Sequence, residues 1–222
     1  MSKKCLAEFI GTFTLIFVGV GAIHNNGDTE AGVGLLGVAL AHGLAIAVMV
    51  SATGAISGGH LNPAVTLGIL TGGKMKLADA VAYWVSQLAG GVAAGWLLLI
   101  IYGADGKEIV AKGTPDLGQG VSTGTGILVE MVLTFFLVFV IYGTAVDVRA
   151  PKIGGLAIGL TVALDILFGG PLTGAAMNPA RTFGPAVASW HWNNHLVYWI
   201  GPMLGGVLAG LVYGRFLIKE SK

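Results

Sequence analysis

Apolar positions fall into six long blocks, Cys5–Ile23, Val33–Thr53, Ala78–Tyr102, Gly124–Val146, Ile153–Phe168 and Leu196–Ile218. Most are long enough as helices to cross a hydrocarbon core of roughly 30 Å. The block from Ile153 is the shortest and would suit a buried soluble helix, but its neighbours leave no soluble core for it to join. Six membrane spans are therefore expected. Two further apolar stretches, Asn62–Thr71 and Asn178 to about Ser189, are too short to span. At about 1.5 Å per residue the first covers about 15 Å, half the hydrocarbon thickness. Each is read as a re-entrant half-helix.

Composition agrees with lipid as the main solvent: 55% of the 222 residues are hydrophobic and 10% are charged. The start Met1-Ser2-Lys3-Lys4 resembles a signal peptide, yet no small-residue cleavage site precedes the loop His24–Asp28, so the first block is taken as a retained span. Lys3, Lys4, Lys74, Lys76, Arg149, Lys152, Arg215, Lys219 and Lys222 fall on one side of the expected topology, against Lys107 and Lys112 on the other. The positive-inside rule then makes both termini cytoplasmic. A net charge of +1 argues against nucleic-acid partners, and the single Cys5 excludes an internal disulfide and a Cys-rich metal site. No cofactor or metal is expected, and no nucleophile and base stand at a spacing that suggests an enzyme.

The chain repeats itself. Ala7-Glu8-Phe9-Ile10-Gly11-Thr12-Phe13 parallels Val129-Glu130-Met131-Val132-Leu133-Thr134-Phe135, and Ser57–Ala64 parallels Thr173–Ala180. Tyr83-Trp84, Gly90-Gly91-Val92 and Ala94-Gly95 recur as Tyr198-Trp199, Gly205-Gly206-Val207 and Ala209-Gly210. Three spans per half is an odd number, so the second half enters the membrane from the opposite side. Such inverted repeats place a shared site near the midplane. The expected organisation is a first repeat over 1–102, an extracellular connector over 103–123 and a second repeat over 124–222, together one membrane domain.

Each half-helix opens with Asn-Pro-Ala: Asn62, Pro63, Ala64 and Asn178, Pro179, Ala180. Asn is a favoured N-cap, and Pro is favoured at the first helical position. With the side-chain oxygens capping, both amide NH₂ groups are expected to remain free to donate into the space between the helix ends. Each helix also brings the positive end of its dipole there, which repels cations and protons and holds a neutral acceptor. Non-helical backbone at membrane depth survives where it lines a cavity. Gly58, Gly59, His60 and Leu61, with Gly174, Ala176 and Met177, are thus candidates for a ladder of carbonyl acceptors.

The paired motifs, with Arg181 directly after the second, resemble the aquaporin, or major intrinsic protein, family over essentially the whole chain. The resemblance implies an all-α membrane fold of six tilted helices plus two half-helices, a homotetramer in membrane lipid, and one pore per subunit for water and small neutral solutes. It also implies a four-residue constriction at His42, Ile166, Ala175 and Arg181. Orthodox water channels usually have Phe and His where this chain has His42 and Ile166. The set here is similar instead to plant vacuolar-membrane members, some of which also pass ammonia. Thr182, Tyr198 and Trp199 depart from the glycerol-conducting pattern, so water is favoured over a small polyol. A neutral His42 can donate or accept, which suggests a change in conductance near pH 6 to 7.

Glu8 and Glu130 are expected to brace the re-entrant loops by accepting backbone N–H bonds. Asp165 is turned from the pore and is assigned either to a bond with the connector or to a subunit contact. Tyr83, Trp84, Tyr198 and Trp199 read as packing and interfacial aromatics, and Gly90-Gly91 and Gly205-Gly206 as close helix crossings. A glycerol facilitator is the first alternative and a secondary transporter the second, although no ion-coordinating cluster is visible. The short tails point to a prokaryotic plasma membrane.

Overall fold

Backbone groups in hydrocarbon must be satisfied within their own segment, so apolar blocks of this length become helices. A computed structural model describes residues 1–27, 32–151 and 153–218. In chain order the helices are α1 (Ser2–Gly27), α2 (Gly34–Ser57), the short α3 (Pro63–Thr71), α4 (Leu77–Tyr102), α5 (Gly106–Lys112), α6 (Thr123–Ile141), α7 (Gly154–Thr173), the short α8 (Pro179–Ser189) and α9 (Val197–Ala209). π-Helical turns prolong α6 over Tyr142–Val146 and α9 over Gly210–Leu217. Six of these helices are long and apolar enough to cross a membrane, and the protein is a multi-pass membrane protein. Of the charges used to orient it, Lys152, Lys219 and Lys222 lie outside the described residues, as does Asp28.

The connector carries an element of its own, since Gly106–Lys112 is helical within it. One expectation needs correction. The fifth span does not end at Phe168 but continues through Gly169-Gly170-Pro171 to Thr173. Pro171 falls in the last turn, where it disrupts little, and Gly174, at φ 76°, closes the helix by donating to the Gly170 carbonyl at 2.9 Å.

Leu36, Leu40, Leu44 and Val48 of α2 and Leu156, Leu160 and Leu164 of α7 project outward. Inside, α2 packs on α7, α1 on α4, and α6 on α9, while the half-helices α8 and α3 lie against α4 and α9. The glycine pairs explain how each long helix serves two neighbours. A Cβ on Gly90 would stand 2.4 Å from the Phe9 carbonyl of α1, and one on Gly91 2.8 Å from the Ala180 carbonyl of α8. In the second repeat Gly205 meets the Met131 carbonyl of α6 at 2.2 Å, and Gly206 the Ala64 carbonyl of α3 at 2.4 Å. One glycine of each pair admits a spanning helix and the other admits a half-helix.

Candidate functional site

Each half-helix begins at an extended Asn. Asn62 accepts from the N–H groups of Ala64 at 2.8 Å and Val65 at 3.4 Å, and Asn178 from those of Ala180 at 3.0 Å and Arg181 at 3.3 Å. The sequence leads one to expect both amide NH₂ groups to be free, but in the structure each is partly committed. Asn62 Nδ2 donates to the Met177 carbonyl at 2.8 Å, and Asn178 Nδ2 donates to the Leu61 carbonyl at 2.9 Å. One N–H of each amide is thus committed to the opposite repeat, and one is left for the space between the helix ends. The carbonyls of Leu61 and Met177 are the acceptors of this reciprocal clasp.

The loops before the half-helices are wound through left-handed conformations at matching positions. Gly58, Gly59 and Leu61 have φ of 94°, 62° and 53°, and Gly174, Ala175 and Met177 have 76°, 45° and 51°. Left-handed backbone costs a non-glycine residue about 1–2 kcal/mol, so three of these positions are held by their surroundings.

Much of that hold comes from Glu8 and Glu130, both fully buried. Glu8 accepts from Ser57 Oγ at 2.6 Å, His60 N at 3.0 Å, Leu61 N at 2.6 Å and Gln87 Nε2 at 2.8 Å. Glu130 accepts from Thr173 Oγ1 at 2.7 Å, Ala176 N at 2.9 Å and Met177 N at 2.7 Å. The tyrosines read as packing aromatics prove to be part of the same frame. Tyr83 Oη donates to the Ser57 carbonyl at 2.7 Å, and Tyr198 Oη to the Thr173 carbonyl at 2.8 Å. Nothing in an apolar helix marks such a tyrosine in advance; only its recurrence in both repeats could have found it.

A vestibule of about 350 Å³ reaches His42, Ile166, Gly174 and Arg181. Beyond it lies a cavity of about 20 Å³ lined by all four expected constriction residues, His42, Ile166, Ala175 and Arg181, together with Ala176, Met177, Asn62 and Asn178. A second cavity of about 20 Å³, on the other side of the Asn pair, is bordered by Gly59, His60 and Asn62. Each has room for about one water molecule. The remaining lining of the two small cavities is apolar, including Ile46, Leu137 and Val162.

Arg181 is 4% exposed, and among the described residues no carboxylate pairs with it. Its Nη1 donates to the Gly113 carbonyl at 2.9 Å, and its Nη2 meets His42 Nε2 at 3.3 Å. His42 Nδ1 lies 2.8 Å from the Val38 carbonyl, which can only accept. Nδ1 therefore carries the proton and Nε2 accepts from Arg181. Both ring nitrogens are used within the protein, and this argues against the pH response expected for a ring left free. His60 is likewise engaged, through Thr66 Oγ1 at 3.0 Å and an edge-on contact with Tyr83.

Asp116 of the connector was not singled out from sequence. It accepts from Asn194 Nδ2 at 2.7 Å and meets His191 Nε2 at 3.1 Å, tying the connector to the loop after α8. Burial opposes its charge, but hydrogen bonds from Asn194, the Leu117 amide and His191 outweigh that and hold its pKa below 3.8. Asp165 meets neither assignment made for it. It is 1% exposed and so not on the surface, and neither carboxyl oxygen has a hydrogen-bond partner among the described residues.

The sequence pattern of the family described as Major intrinsic protein matches residues 1–213. Among curated proteins the chain is 45% identical to "Probable aquaporin TIP3-2" of Arabidopsis thaliana, covering 98% of this chain and 85% of that one. It is 48% identical to "Aquaporin TIP4-4" of Zea mays, covering 99% and 88%. Its fold is that of the aquaglyceroporin from Plasmodium falciparum, with a TM-score of 0.88 at 24% identity over 97% of this chain and 96% of that one. The chain belongs to the major intrinsic protein family and has the aquaporin-like fold.

Proposed function

We propose that this chain is a passive channel for water that excludes ions and protons and also admits ammonia. The observation that carries this reading is the single water-sized cavity bounded by the four constriction residues and by both Asn side chains. Arg181 places an unneutralised positive charge and the helix dipoles of α3 and α8 place two positive ends around it, the arrangement that rejects cations in aquaporin-type pores. One free N–H on each Asn offers a passing oxygen two donors. The apolar lining gives few competing sites and favours release. Gly58, Gly59, His60, Gly174 and Ala176 supply the backbone of the pathway, with the carbonyls of Leu61 and Met177 turned to the clasp.

The chamber behind the constriction has room for about one water molecule. This favours water over glycerol, the second reading, which rests on the fold shared with an aquaglyceroporin. The His42–Arg181 contact leaves conductance flat from pH 5 to 8. The outward leucines of α2 and α7 supply lipid-facing and subunit-facing surface for a homotetramer. The chain sits in the cell membrane with both termini cytoplasmic. Stopped-flow shrinkage of proteoliposomes, with water, glycerol and ammonia in parallel, tests the proposal. Accelerated water and ammonia flux with glycerol at the empty-liposome level is expected; no acceleration of water overturns it.

A further inference from the structure

The pore-facing stripe of α1 has a gap. Leu15 lines the inner chamber and Ile23 the vestibule. Gly19 stands between them at helical spacing, and the imidazole of His42 occupies the place where its side chain would be. A Cβ on Gly19 would lie 2.4 Å from His42 Nε2, 2.8 Å from Cδ2 and 2.9 Å from Cε1. The ring edge therefore rests on bare backbone. Its other restraints are the Val38 carbonyl at Nδ1 and the Arg181 guanidinium at Nε2, so a ring pushed off α1 has the lumen as its open side.

The next residue acts on the other polar wall. Val20 is 2% exposed, and its Cγ1 would stand 2.6 Å from a Cβ on Gly113, whose carbonyl holds Arg181 Nη1. Two consecutive residues of α1 thus bear on His42 and on the support of Arg181.

We infer that Gly19 is a specificity-determining positioning residue: by lacking a side chain it seats His42 in the wall of the constriction and so sets the pore's bore. This deepens the channel reading proposed above and rests on it. Ala is the better helix former, so Gly19→Ala has no backbone reason to weaken α1. What it adds is a methyl group in a filled space, which forces neighbours out of place.

The test is a cycle of Gly19→Ala, His42→Ala and the double variant in proteoliposomes, reading water flux and the ratio of water to glycerol flux. Gly19→Ala is expected to lower water flux about fivefold or more as the ring enters the lumen. In the His42→Ala background the same change is expected to alter flux less than about twofold, since the added methyl then meets open space. Should Gly19→Ala not fold, the inference requires His42→Ala to restore folding. Wild-type flux in Gly19→Ala overturns it, as does an equal loss of flux or of folding in both backgrounds, which would place Gly19 in helix packing alone. Failure of the wild-type protein to conduct water would instead strike the channel reading itself.

Discussion

Loop Ser57–Leu61 and loop Thr173–Met177 share a frame and differ in what they carry. In each, a buried glutamate gathers a hydroxyl and two backbone N–H groups, a tyrosine on the third span of the repeat holds the first carbonyl, and an Asn clasps the opposite loop. The differences lie at the lumen. Val65 stands where the second repeat has Arg181, His60 where it has Ala176, and Gly59 where it has Ala175. Gln87, which adds a fourth bond to Glu8 and another to Thr66, gives way to Pro202. Shared features therefore hold the loops in place, and the divergent ones lie at the cavity. The first loop fills its polar positions internally through His60, Thr66 and Gln87, whereas the second sets a guanidinium in the wall of the cavity.

The comparison breaks most readily at the glutamates. Glu130→Ala leaves two loop N–H groups and a hydroxyl buried without an acceptor, each costing about 1–3 kcal/mol. Loss of the folded channel is expected, measured as failure to recover monodisperse protein in detergent. Glu8→Ala is expected to do the same, and wild-type yield from either would mean that the loops are held by something else. Arg181→Val sharpens the contrast by giving the second half-helix the residue of the first. It is expected to fold, to keep water flux within about threefold and to raise glycerol flux about tenfold in the liposome assay, because a fixed donor set and charge leave the constriction. Unchanged glycerol exclusion would move selectivity away from Arg181.

Smaller effects test the finer parts. Tyr83→Phe and Tyr198→Phe each remove one buried hydrogen bond, for a loss of about 1 kcal/mol and a melting temperature lower by a few degrees. A much larger effect at one site would show that the frame is less symmetric than its geometry. The connector tie is smaller still. Because the folded pKa of Asp116 lies below its unfolded value, the tie stabilises fully above about pH 4 and is lost as pH falls through the folded pKa. Partial exposure limits it to under about 1 kcal/mol. Melting curves should show a step below pH 4 in the wild-type protein that Asp116→Asn removes.

Sequence reveals the parts that obey local rules or recur. Asn and Pro are favoured at a helix start, so the sequence marks both half-helices, which end at Thr71 and Ser189. Recurrence pairs Glu8 with Glu130. The rest depends on what crosses between elements far apart in the chain. Tyr83 and Tyr198 lie on apolar helices where a packing ring and a bracing hydroxyl look alike. The partner of each Asn amide is a carbonyl more than a hundred residues away. Asp116 has no motif, and Gly19 acts through an absent side chain. The apolar block from Ile153 stops at Phe168, yet α7 runs on through Gly169-Gly170-Pro171 to Thr173. The identity of the neighbour decides each of these, and no periodicity encodes it.

The reciprocal clasp of Asn62 and Asn178 has a consequence for biogenesis. Its two bonds join residues 115 and 117 positions apart, so during synthesis the first loop, although braced by Glu8 and Tyr83 of its own repeat, lacks its clasp until the second half-helix has been made and inserted. The last fastening of the pathway is then a late event that needs both halves. A chain cut within the connector should yield two fragments that are inert alone and active when made together.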